Sequence, residues 1–535
     1  MNGFDESAQT LSLTAFIAVA SVTLLLCVMT GPDRDDLAAF YTGYRSLSPL
    51  RNGLAVAGDY LSAATVLGTT GVIALTGHDG LVLALSTVLS LVLLMFLLAE
   101  PLRNAGRFTM GDMLTRRAPG RAARIASCAV TLAALLPLMV VQLAGSGDLL
   151  AFILGFDSSG FRTGSIIALG VVMIGYAAIG GMKGTALIQI IKTVVLLGAG
   201  LLVSVLVLDR FGWDTGALLH AAASGSGAGT AYLHSGLQFG GSDLDMISSE
   251  LTVVLGAACL PHITMRMTGV RDARAVRRSL SWAVSVVAGL CLLLAVIGFG
   301  AAALVGHARI TAAGAQGNSA ILQVTGAVAG GGGIGALVVT TMTSAIFLTL
   351  LASVAGMILA CANSLAHDLF AHGLRTGTPM RNRAEMATAQ GAAVAVGALA
   401  VTLAVLARHW NVQALVTLSF CIGASAIAPA LVYSMFWRRF TRTGLLCTLI
   451  GGTVCVLVLI TGTNLVSGSP GSVFPHRDVN WFPFTTTGLV SIPFGFLAGW
   501  LGTVYGRDTD TTGQRRRYEA AEPWILAGAP PAGRR

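Results

Sequence analysis

The chain is a series of apolar runs, each long enough to cross a lipid bilayer. A transmembrane helix needs about 20 predominantly apolar residues, because the hydrocarbon core is about 30 Å thick and a helix rises about 1.5 Å per residue. We count thirteen such runs, at 11–30, 52–76, 80–100, 124–154, 164–180, 185–208, 247–265, 280–305, 333–364, 388–407, 412–436, 443–465 and 482–505. They predict an all-α, polytopic membrane protein.

Composition supports this interpretation. Of the 535 residues, 54% are hydrophobic and only 11% are charged, whereas soluble proteins carry about 25% charged residues. A lipid bilayer must therefore solvate most of the chain. The net charge of +9 comes from basic residues concentrated in every second connecting segment, as the positive-inside rule requires. We expect a multi-pass protein of the plasma (inner) membrane, with its N-terminus outside, its C-terminus in the cytoplasm and no nucleic-acid partner.

Two connecting segments predicted to lie outside, 209–246 and 306–332, are long and rich in Gly, Ser and Ala. Loops of this length are often lids or mobile connectors, and both interpretations stay open. The eight cysteines fall in or beside apolar runs without metal-ligand spacing, so we interpret them as packing residues. The sequence contains no Gly-Lys-Ser/Thr phosphate loop and no His-Glu-x-x-His motif, so we do not expect an enzyme.

Polar residues interrupt the second run. In LAVAGDYLSAATVLGTTGVIALTG, residues 54–77, the segment 58–64 introduces an acid and a hydroxyl into an apolar span. This segment lies about 10–18 Å from the start of the run at 1.5 Å per residue. A carboxylate within the membrane is costly and is by default a functional-site candidate. Asp59 either organises the site and attracts an ion, or caps an unwound segment or pairs with an arginine near the inner face.

The seventh run contains a helix breaker. In GAACLPHITMR, residues 256–266, Pro261 removes an amide donor and disfavours helix at Leu260. Unwound backbone is tolerated in a membrane only where protein or a water-filled cavity satisfies it. In secondary transporters, the freed carbonyls bind cations and the half-helix ends bind charged substrate groups. Two broken helices therefore indicate a transport site near the midplane.

The ninth run supplies candidate ligands for a cation. Thr349, Ala352 and Ser353 stand at i, i+3 and i+4 and share one helical face. Sodium, like other hard cations, prefers oxygen donors. Carbonyls from a broken helix, together with hydroxyls and carbonyls from this face, would replace its water shell. The alternative is that these hydroxyls only donate to the carbonyl four residues earlier in their own helix.

Four segments together resemble the solute:sodium symporter family, and within it the bacterial cation/acetate (monocarboxylate) symporters. The segments are GDYLSAATVLG (58–68), AIGGMKGTALIQIIKTVVLL (178–197), LPHITMRMTGVRDARAVRRS (260–279) and LASVAGMILACANSLAHDLF (351–370). The resemblance extends from about residue 37 to residue 505. It implies a five-plus-five inverted repeat of the leucine-transporter type, in which the two broken helices open the repeats.

The resemblance also implies a division of the chain. We expect an N-terminal outside segment and first span at 1–36, and a transport core at 37–437 whose repeats are spans two to six and seven to eleven. Two additional spans would follow at 438–505. The tail at 506–535 is rich in Arg, Pro and Gly, and we expect it to be disordered and cytoplasmic.

A sodium site is a further implication of the resemblance. In the family, two carbonyls of the first broken helix and three positions of the eighth core helix bind the ion. When we count back from Asp368 at the end of that helix, the three positions are Thr349, Ala352 and Ser353. The carbonyls belong to Gly58 and Leu61 when the alignment runs through Ser62. When it runs through Asp59 instead, they belong to Ala57 and Tyr60. Ala352 stands where proline and sugar transporters have a hydroxyl, which weakens the case for sodium and admits protons or another cation.

A small carboxylate is the substrate that the resemblance implies. Ser62, Thr65 and Gln142 are candidates for binding it, although Gln142 equally suits a hydrogen bond between helices. We expect inward symport of a short-chain monocarboxylate such as acetate, driven by sodium. The alternatives are another solute (proline, pyruvate or propionate), protons as the driving ion, and, from a different class, a channel.

Overall fold

The computed structural model describes residues 6–32, 36–116, 118–156, 158–314, 316–375, 380–407, 412–468, 472–506 and 511–527. Within these ranges the chain forms helices and no β-strand, apart from an isolated bridge between Ser467 and Phe474. The all-α class predicted from the apolar runs is confirmed.

Helices follow one another along the whole described chain. In chain order, the α-helices are α1 (Glu6–Thr30), α2 (Leu37–Thr42), α3 (Pro49–Tyr60), α4 (Ala63–Thr76), α5 (His78–Leu93), α6 (Ala99–Ala105), α7 (Met110–Thr115), α8 (Arg121–Leu154), α9 (Ser159–Arg210), α10 (Thr215–Gly225), α11 (Asp243–Ala258), α12 (Pro261–Met265), α13 (Ala273–Leu304), α14 (His307–Ala312), α15 (Ala320–Ala329), α16 (Gly332–Asn363), α17 (Asn382–Leu406), α18 (Val412–Ile422), α19 (Ala428–Phe436), α20 (Arg442–Leu446), α21 (Gly452–Ile460), α22 (Gly488–Val504) and α23 (Thr511–Ala527). Short 3₁₀ segments lie at Gly43–Arg45, Gly229–Leu233 and Arg266–Gly269, and π-helical segments lie at Leu94–Leu98, Ser364–Leu374, Gly423–Ile427 and Cys447–Gly451.

Ten helical stretches in the described part of the chain are long and apolar enough to cross a membrane. The thirteen predicted runs differ from this count in three places. α9 covers two runs in one helix of 52 residues, the second run is divided between α3 and α4, and α22 has only 17 residues. The multi-pass architecture is therefore clear, and thirteen separate crossings stay a prediction.

The helix α16 lies at the centre of the bundle. The most apolar window of the stretch Gly332–Leu374 is completely buried inside the protein, whereas the corresponding window of α1 is only 17% buried. A helix that is apolar on all sides and buried on all sides belongs in the core of a bundle. α16 packs against α9, α1, α8 and α17, so the candidate ligands on the ninth run face protein rather than lipid.

The break predicted in the second run is confirmed. Leu61 and Ser62 separate α3 from α4, and Ser62 has extended backbone angles of φ −75° and ψ 164°. Its Oγ accepts a hydrogen bond from the Thr65 amide at 3.1 Å. A serine in this position caps the new helix by satisfying one of its free amides. The hydroxyl thus restarts the helix after two unwound residues.

The break predicted in the seventh run is also confirmed. Cys259 and Leu260 separate α11 from α12, and Pro261 is the first residue of α12. Leu260 has φ −59° and ψ 134°, the conformation to which a following proline restricts a residue. Proline itself is accepted at the first helical position because that amide has no partner within the helix. The same residue therefore ends one half-helix and begins the next.

A kink at Gly181 explains why two predicted runs form a single helix. Gly181 has φ 53° and ψ −156° inside α9, a backbone conformation that only glycine adopts without strain. A Cβ at this position would also lie 3.0 Å from the ring of Phe40. The kink separates the runs 164–180 and 185–208, and α9 packs against both α3 and α16.

The connecting segments and the tail contain more helix than we predicted. α10, α14 and α15 lie within the two long segments interpreted as loops. In the tail predicted to be disordered, α23 covers residues 511–527, and the Trp524 indole donates to the Asn104 carbonyl at 2.9 Å. Ile525 is buried against the same part of the bundle. This contact orders residues whose composition alone predicts disorder, while 528–535 lie outside the described residues.

Candidate functional site

A buried ion pair joins the two broken helices. Arg266, which follows α12, donates from Nε to Asp59 Oδ2 near the end of α3. Both side chains are about 1% exposed. Gln189 on α9 donates from Nε2 to the second oxygen of Asp59 at 2.6 Å. Such a pair is tolerated away from water because each carboxylate oxygen accepts a charge-assisted or neutral hydrogen bond. Of the roles considered for Asp59, pairing with an arginine is the one that the structure contains.

Lys192 lies among the residues that we predicted to bind sodium. Its Nζ donates to the Gly58 carbonyl at 2.5 Å and to Ser353 Oγ at 2.9 Å. The side chain is fully buried. The unwound helix and the central helix α16 therefore do face each other at Gly58 and Ser353, as the sequence predicts. An ammonium group of the protein lies between them.

The other predicted sodium ligands also make contacts within the protein. The Ala352 carbonyl accepts from Gln189 Nε2 at 2.9 Å. Thr349 Oγ1 donates to the Ala345 carbonyl at 2.6 Å, which is the alternative that we considered for hydroxyls on this face. Leu61 lies at the break, where its amide donates to the Ala57 carbonyl at 2.8 Å; this bond does not involve the Leu61 carbonyl, which is the predicted ligand. Sodium binding by these residues stays a prediction.

The candidate substrate residues line one large cavity. The cavity has a volume of about 1410 Å³ and extends from Asp59 at the first break to Pro475, beyond α21. Ser62, Thr65 and Gln142 all line it. The structure therefore places all three candidates in the wall of the same cavity. Pro261 does not line the cavity, but the residues on either side of it, Leu260 and His262, do.

Gln142 and His262 in the cavity wall have buried polar atoms without a hydrogen-bond partner among the described residues. Gln142 is 1% exposed, and neither its amide nitrogen nor its amide oxygen makes a hydrogen bond within the described part of the protein. His262 is 3% exposed, and its Nδ1 is likewise without a partner among the described residues. Buried polar groups are nearly always satisfied, so each exception requires an explanation. Both groups are available to a polar ligand in the cavity.

Charged groups close the bundle at the end that we predict to be cytoplasmic. Arg124 on α8 donates to Asp112 on α7 at 3.0 Å and to Asp368 in the π-helical segment Ser364–Leu374 at 3.1 Å. The side chains of Asp112 and Asp368 are at most 9% exposed. We refer to Asp112, Arg124 and Asp368 as the inner cluster. It links three elements on the side of the breaks opposite to Pro475.

His367 extends the inner cluster to a further helix. Its Nε2 lies 3.2 Å from Asp112 Oδ1, and its Nδ1 lies 2.6 Å from Glu385 Oε1 on α17. Burial alone would raise the pKa of the Asp112 carboxyl, but the hydrogen bond and charge of His367, with the charge of Arg124, hold that pKa below its ordinary value. The carboxylate of Asp112 therefore stays charged, and the linkage persists, at neutral pH.

Four contributors to this site were not selected from the sequence: Gln189, Lys192, His262 and Arg266. Lys192 gave a signal, because an ionisable residue inside an apolar run is by default a functional candidate. Arg266 gave none, because it ends an apolar run where the positive-inside rule already explains an arginine. No sequence pattern indicated Gln189 or His262 as functional residues.

Comparisons with known sequences agree with the resemblance described above. A sequence model of the sodium:solute symporter family matches residues 40–452. The chain is 35% identical to a monocarboxylic acid transporter of Corynebacterium glutamicum over 510 residues, which cover 93% of this chain and 92% of that protein. It is also 35% identical to the uncharacterized symporter YwcA of Bacillus subtilis, over 92% of this chain and 94% of that protein.

Comparisons with solved structures concern the fold. A substrate-bound, outward-open Na⁺-coupled sialic acid symporter matches with a TM-score of 0.68 at 14% identity, over 93% of this chain and 98% of that one. Mhp1, a nucleobase-cation-symport-1 family transporter solved in a closed conformation with bromovinylhydantoin bound, matches with a TM-score of 0.52 at 13% identity, over 91% and 99%. The leucine-transporter-type architecture expected from the sequence is therefore confirmed.

Proposed function

Because the chain belongs to the sodium:solute symporter family, we propose that it carries a short-chain monocarboxylate such as acetate into the cell together with a cation. Secondary active transport follows from the family. The substrate and the coupling ion are the parts that we add. The name of the relative from Corynebacterium glutamicum, a monocarboxylic acid transporter, supports the substrate class.

The unpartnered amide of Gln142 is the observation that most strongly supports a small polar substrate. Gln142 shares the cavity wall with Ser62, Thr65 and His262, so hydroxyl, amide and imidazole groups surround one space. A carboxylate has two oxygens that accept several hydrogen bonds. One bound anion would therefore satisfy the Gln142 amide nitrogen, which otherwise stays buried without a partner.

The charge of the buried site also favours an anion. Asp59 contributes one negative charge, while Arg266 and Lys192 contribute two positive charges, and all three side chains are at most 2% exposed. The surplus positive charge lies beside a cavity that Asp59 and Ser62 line. In a water-poor environment, an unbalanced charge strongly favours a ligand of opposite sign. A carboxylate would balance it.

Two coupling ions remain candidates. The family name, and the Na⁺ coupling of the sialic acid symporter with the same fold, favour sodium. The contact of Lys192 with Gly58 and Ser353 disfavours sodium at this position, and protons are the alternative that the alanine at 352 already admits.

The proposed function is tested by uptake into proteoliposomes. We expect radiolabelled acetate to accumulate when an inward sodium or proton gradient is imposed, and not to accumulate when both gradients are absent. Counterflow separates a transporter from a channel, because exchange-driven accumulation against a gradient cannot come from a pore. Failure of acetate, propionate and pyruvate to compete with one another for uptake would contradict the monocarboxylate proposal.

A substitution at Gln142 tests the binding site directly. Gln142→Leu keeps the approximate volume and removes the amide, and a hydrogen bond to a charged group contributes about 1.5–3 kcal/mol. We expect the KM for acetate to rise about tenfold or more. Ser146→Ala is the matched control, because Ser146 is buried on the same helix but donates to the Leu143 carbonyl at 2.6 Å. An unchanged KM in Gln142→Leu would exclude this residue from the site.

We further propose that the N-terminus lies outside and the C-terminus in the cytoplasm of the plasma membrane. The distribution of basic residues supports this orientation. Protease protection of tags at the two ends in right-side-out vesicles would test it, and a protected N-terminal tag would contradict it.

A further inference from the structure

We propose that the ammonium group of Lys192 is a built-in cation that replaces a sodium ion between Gly58 and Ser353. The carboxylate substrate would then bind without sodium at this position. Only the uptake part of the test below rests on the proposed transport function; the proposal itself rests on the geometry around Lys192.

Lys192 contacts oxygens that we predicted to bind a cation. Gly58 belongs to the unwound end of α3, and Ser353 lies on the central helix α16. These are the carbonyl and the hydroxyl that we predicted as ligands for an unhydrated cation. Lys192 Nζ contacts both, at 2.5 and 2.9 Å. A lysine ammonium is a compact point charge with three donors, so it satisfies the same oxygens as a small metal cation.

Neighbouring contacts fix the position of the ammonium. One residue beyond Lys192, Thr193 Oγ1 donates to the Leu54 carbonyl of α3 at 3.1 Å. Three residues before it, Gln189 donates to the Ala352 carbonyl of α16 at 2.9 Å. α9 is therefore tied to both helices on either side of Lys192. A second cation placed against the same oxygens would be strongly repelled by the ammonium held there.

Lys192 also changes the charge of the buried site. Without Lys192, the pair of Asp59 and Arg266 is neutral, and a bound anion would need a metal ion to balance it. With Lys192, the three buried side chains carry one surplus positive charge. When protonated, Lys192 thus provides the positive charge that a bound sodium ion would otherwise provide. An arginine at this position would not replace the lysine well, because its planar guanidinium is larger than the compact ammonium that fits between the two oxygens.

The direct test measures sodium binding by the purified protein without any substrate. We expect saturable ²²Na⁺ binding to be the same in the wild-type protein and in Ser353→Ala, because no sodium ion binds at Ser353 in the wild type. Lys192→Ala should create saturable binding that Ser353→Ala then abolishes. Lys183→Ala is the matched control, because Lys183 is exposed on the same helix and is the only other lysine of the chain; it should behave as the wild type.

The wild-type measurement decides the question even if Lys192→Ala does not fold. Saturable ²²Na⁺ binding to the wild type that Ser353→Ala removes would overturn the proposal. In proteoliposomes with a fixed proton gradient, replacing sodium by choline should change wild-type acetate uptake by less than about twofold. The proposal would also be overturned if this replacement lowered wild-type uptake tenfold or more and had no such effect on Ser353→Ala. Because the binding assay contains no acetate, a complete lack of acetate uptake would contradict only the proposed function.

Discussion

At the scale of single residues, the site depends on charges that are buried but matched. Asp59 accepts from Arg266 and from Gln189, so both of its oxygens are satisfied. Breaking a buried pair by removing one partner typically costs about 3–5 kcal/mol, whereas an exposed pair contributes at most about 1 kcal/mol. The two cases can be compared within this chain, because Arg162 and Asp148 form an exposed pair at 3.2 Å.

We therefore expect Asp59→Asn to lower the free energy of unfolding by about 3 kcal/mol or more, because Arg266 stays buried without a countercharge. Asp148→Asn should change it by less than about 1 kcal/mol. Chemical denaturation in detergent measures both values. The double variant Asp59→Asn with Arg266→Met should recover part of the loss, since it removes both charges of the pair. Equal effects of the two single substitutions would show that burial of the pair is not what makes it important.

At the scale of helices, the site requires α3 and α9 to approach very closely. A Cβ added at Gly58 would lie 2.6 Å from the Gln189 carbonyl oxygen and 2.8 Å from Thr193 Oγ1. Side chains cannot occupy such distances, so the absence of a side chain at Gly58 permits the contact. The same approach brings Lys192 within hydrogen-bonding distance of the Gly58 carbonyl.

Gly58→Ala should therefore separate the two helices and reduce acetate uptake about tenfold or more, while lowering the free energy of unfolding by about 1–3 kcal/mol, the usual cost of overpacking. Gly198→Ala is the control, because Gly198 lies on α9, the helix that Gly58 of α3 approaches, and has open space around its Cβ position. Uptake and thermal unfolding should be unchanged in the control. Wild-type uptake by Gly58→Ala would show that the close approach is not required.

Local sequence signals explain why both helix breaks could be predicted. Pro261 restricts Leu260 through sterics between neighbouring residues, and the Ser62 hydroxyl caps α4 through a bond to Thr65. By contrast, the contacts of Lys192 join residues 134 and 161 positions apart. No local pattern specifies which side chain of α9 faces the first break. The sequence therefore singled out the Gly58 carbonyl and the Ser353 hydroxyl, but not the ammonium that contacts them.

At the scale of the whole molecule, the cavity and the inner cluster lie on opposite sides of the breaks. The cavity extends towards connecting segments such as the one containing Pro475, which we predict to face outside. On the other side, Arg124 links Asp112 and Asp368. Transport by alternating access requires this arrangement to reverse during each cycle. We therefore predict that the contacts of the inner cluster open during the cycle.

An engineered cysteine at Gly145 can report this reversal. Gly145 lines the cavity three residues from Gln142, and its Cβ position is open. The native cysteines are buried, apart from the half-buried Cys447 and Cys455, which can be replaced by serine in the reporter background. A membrane-impermeant maleimide added outside should label Gly145→Cys, and acetate should protect it.

Arg124→Gln should lower this labelling rate about threefold or more, because losing the inner contacts favours the conformation that is closed to the outside. Arg438→Gln is the control, since Arg438 forms an exposed pair with Glu522 at 2.9 Å. Unchanged labelling in Arg124→Gln would show that the inner cluster does not hold the inner side closed.

The buried position of Lys192 also determines the electrical balance of a transport cycle. A charge that remains on its helix returns to its starting point after every cycle and so does no net work against the membrane voltage. Each carboxylate anion that enters alone would then move one negative charge against an inside-negative potential, at about 2.3 kcal/mol per 100 mV. Inward accumulation by symport therefore requires at least one positive charge from solution to enter with each anion. A cycle with one such charge is electroneutral, whereas each further cation produces a transport current whose reversal voltage reports the stoichiometry.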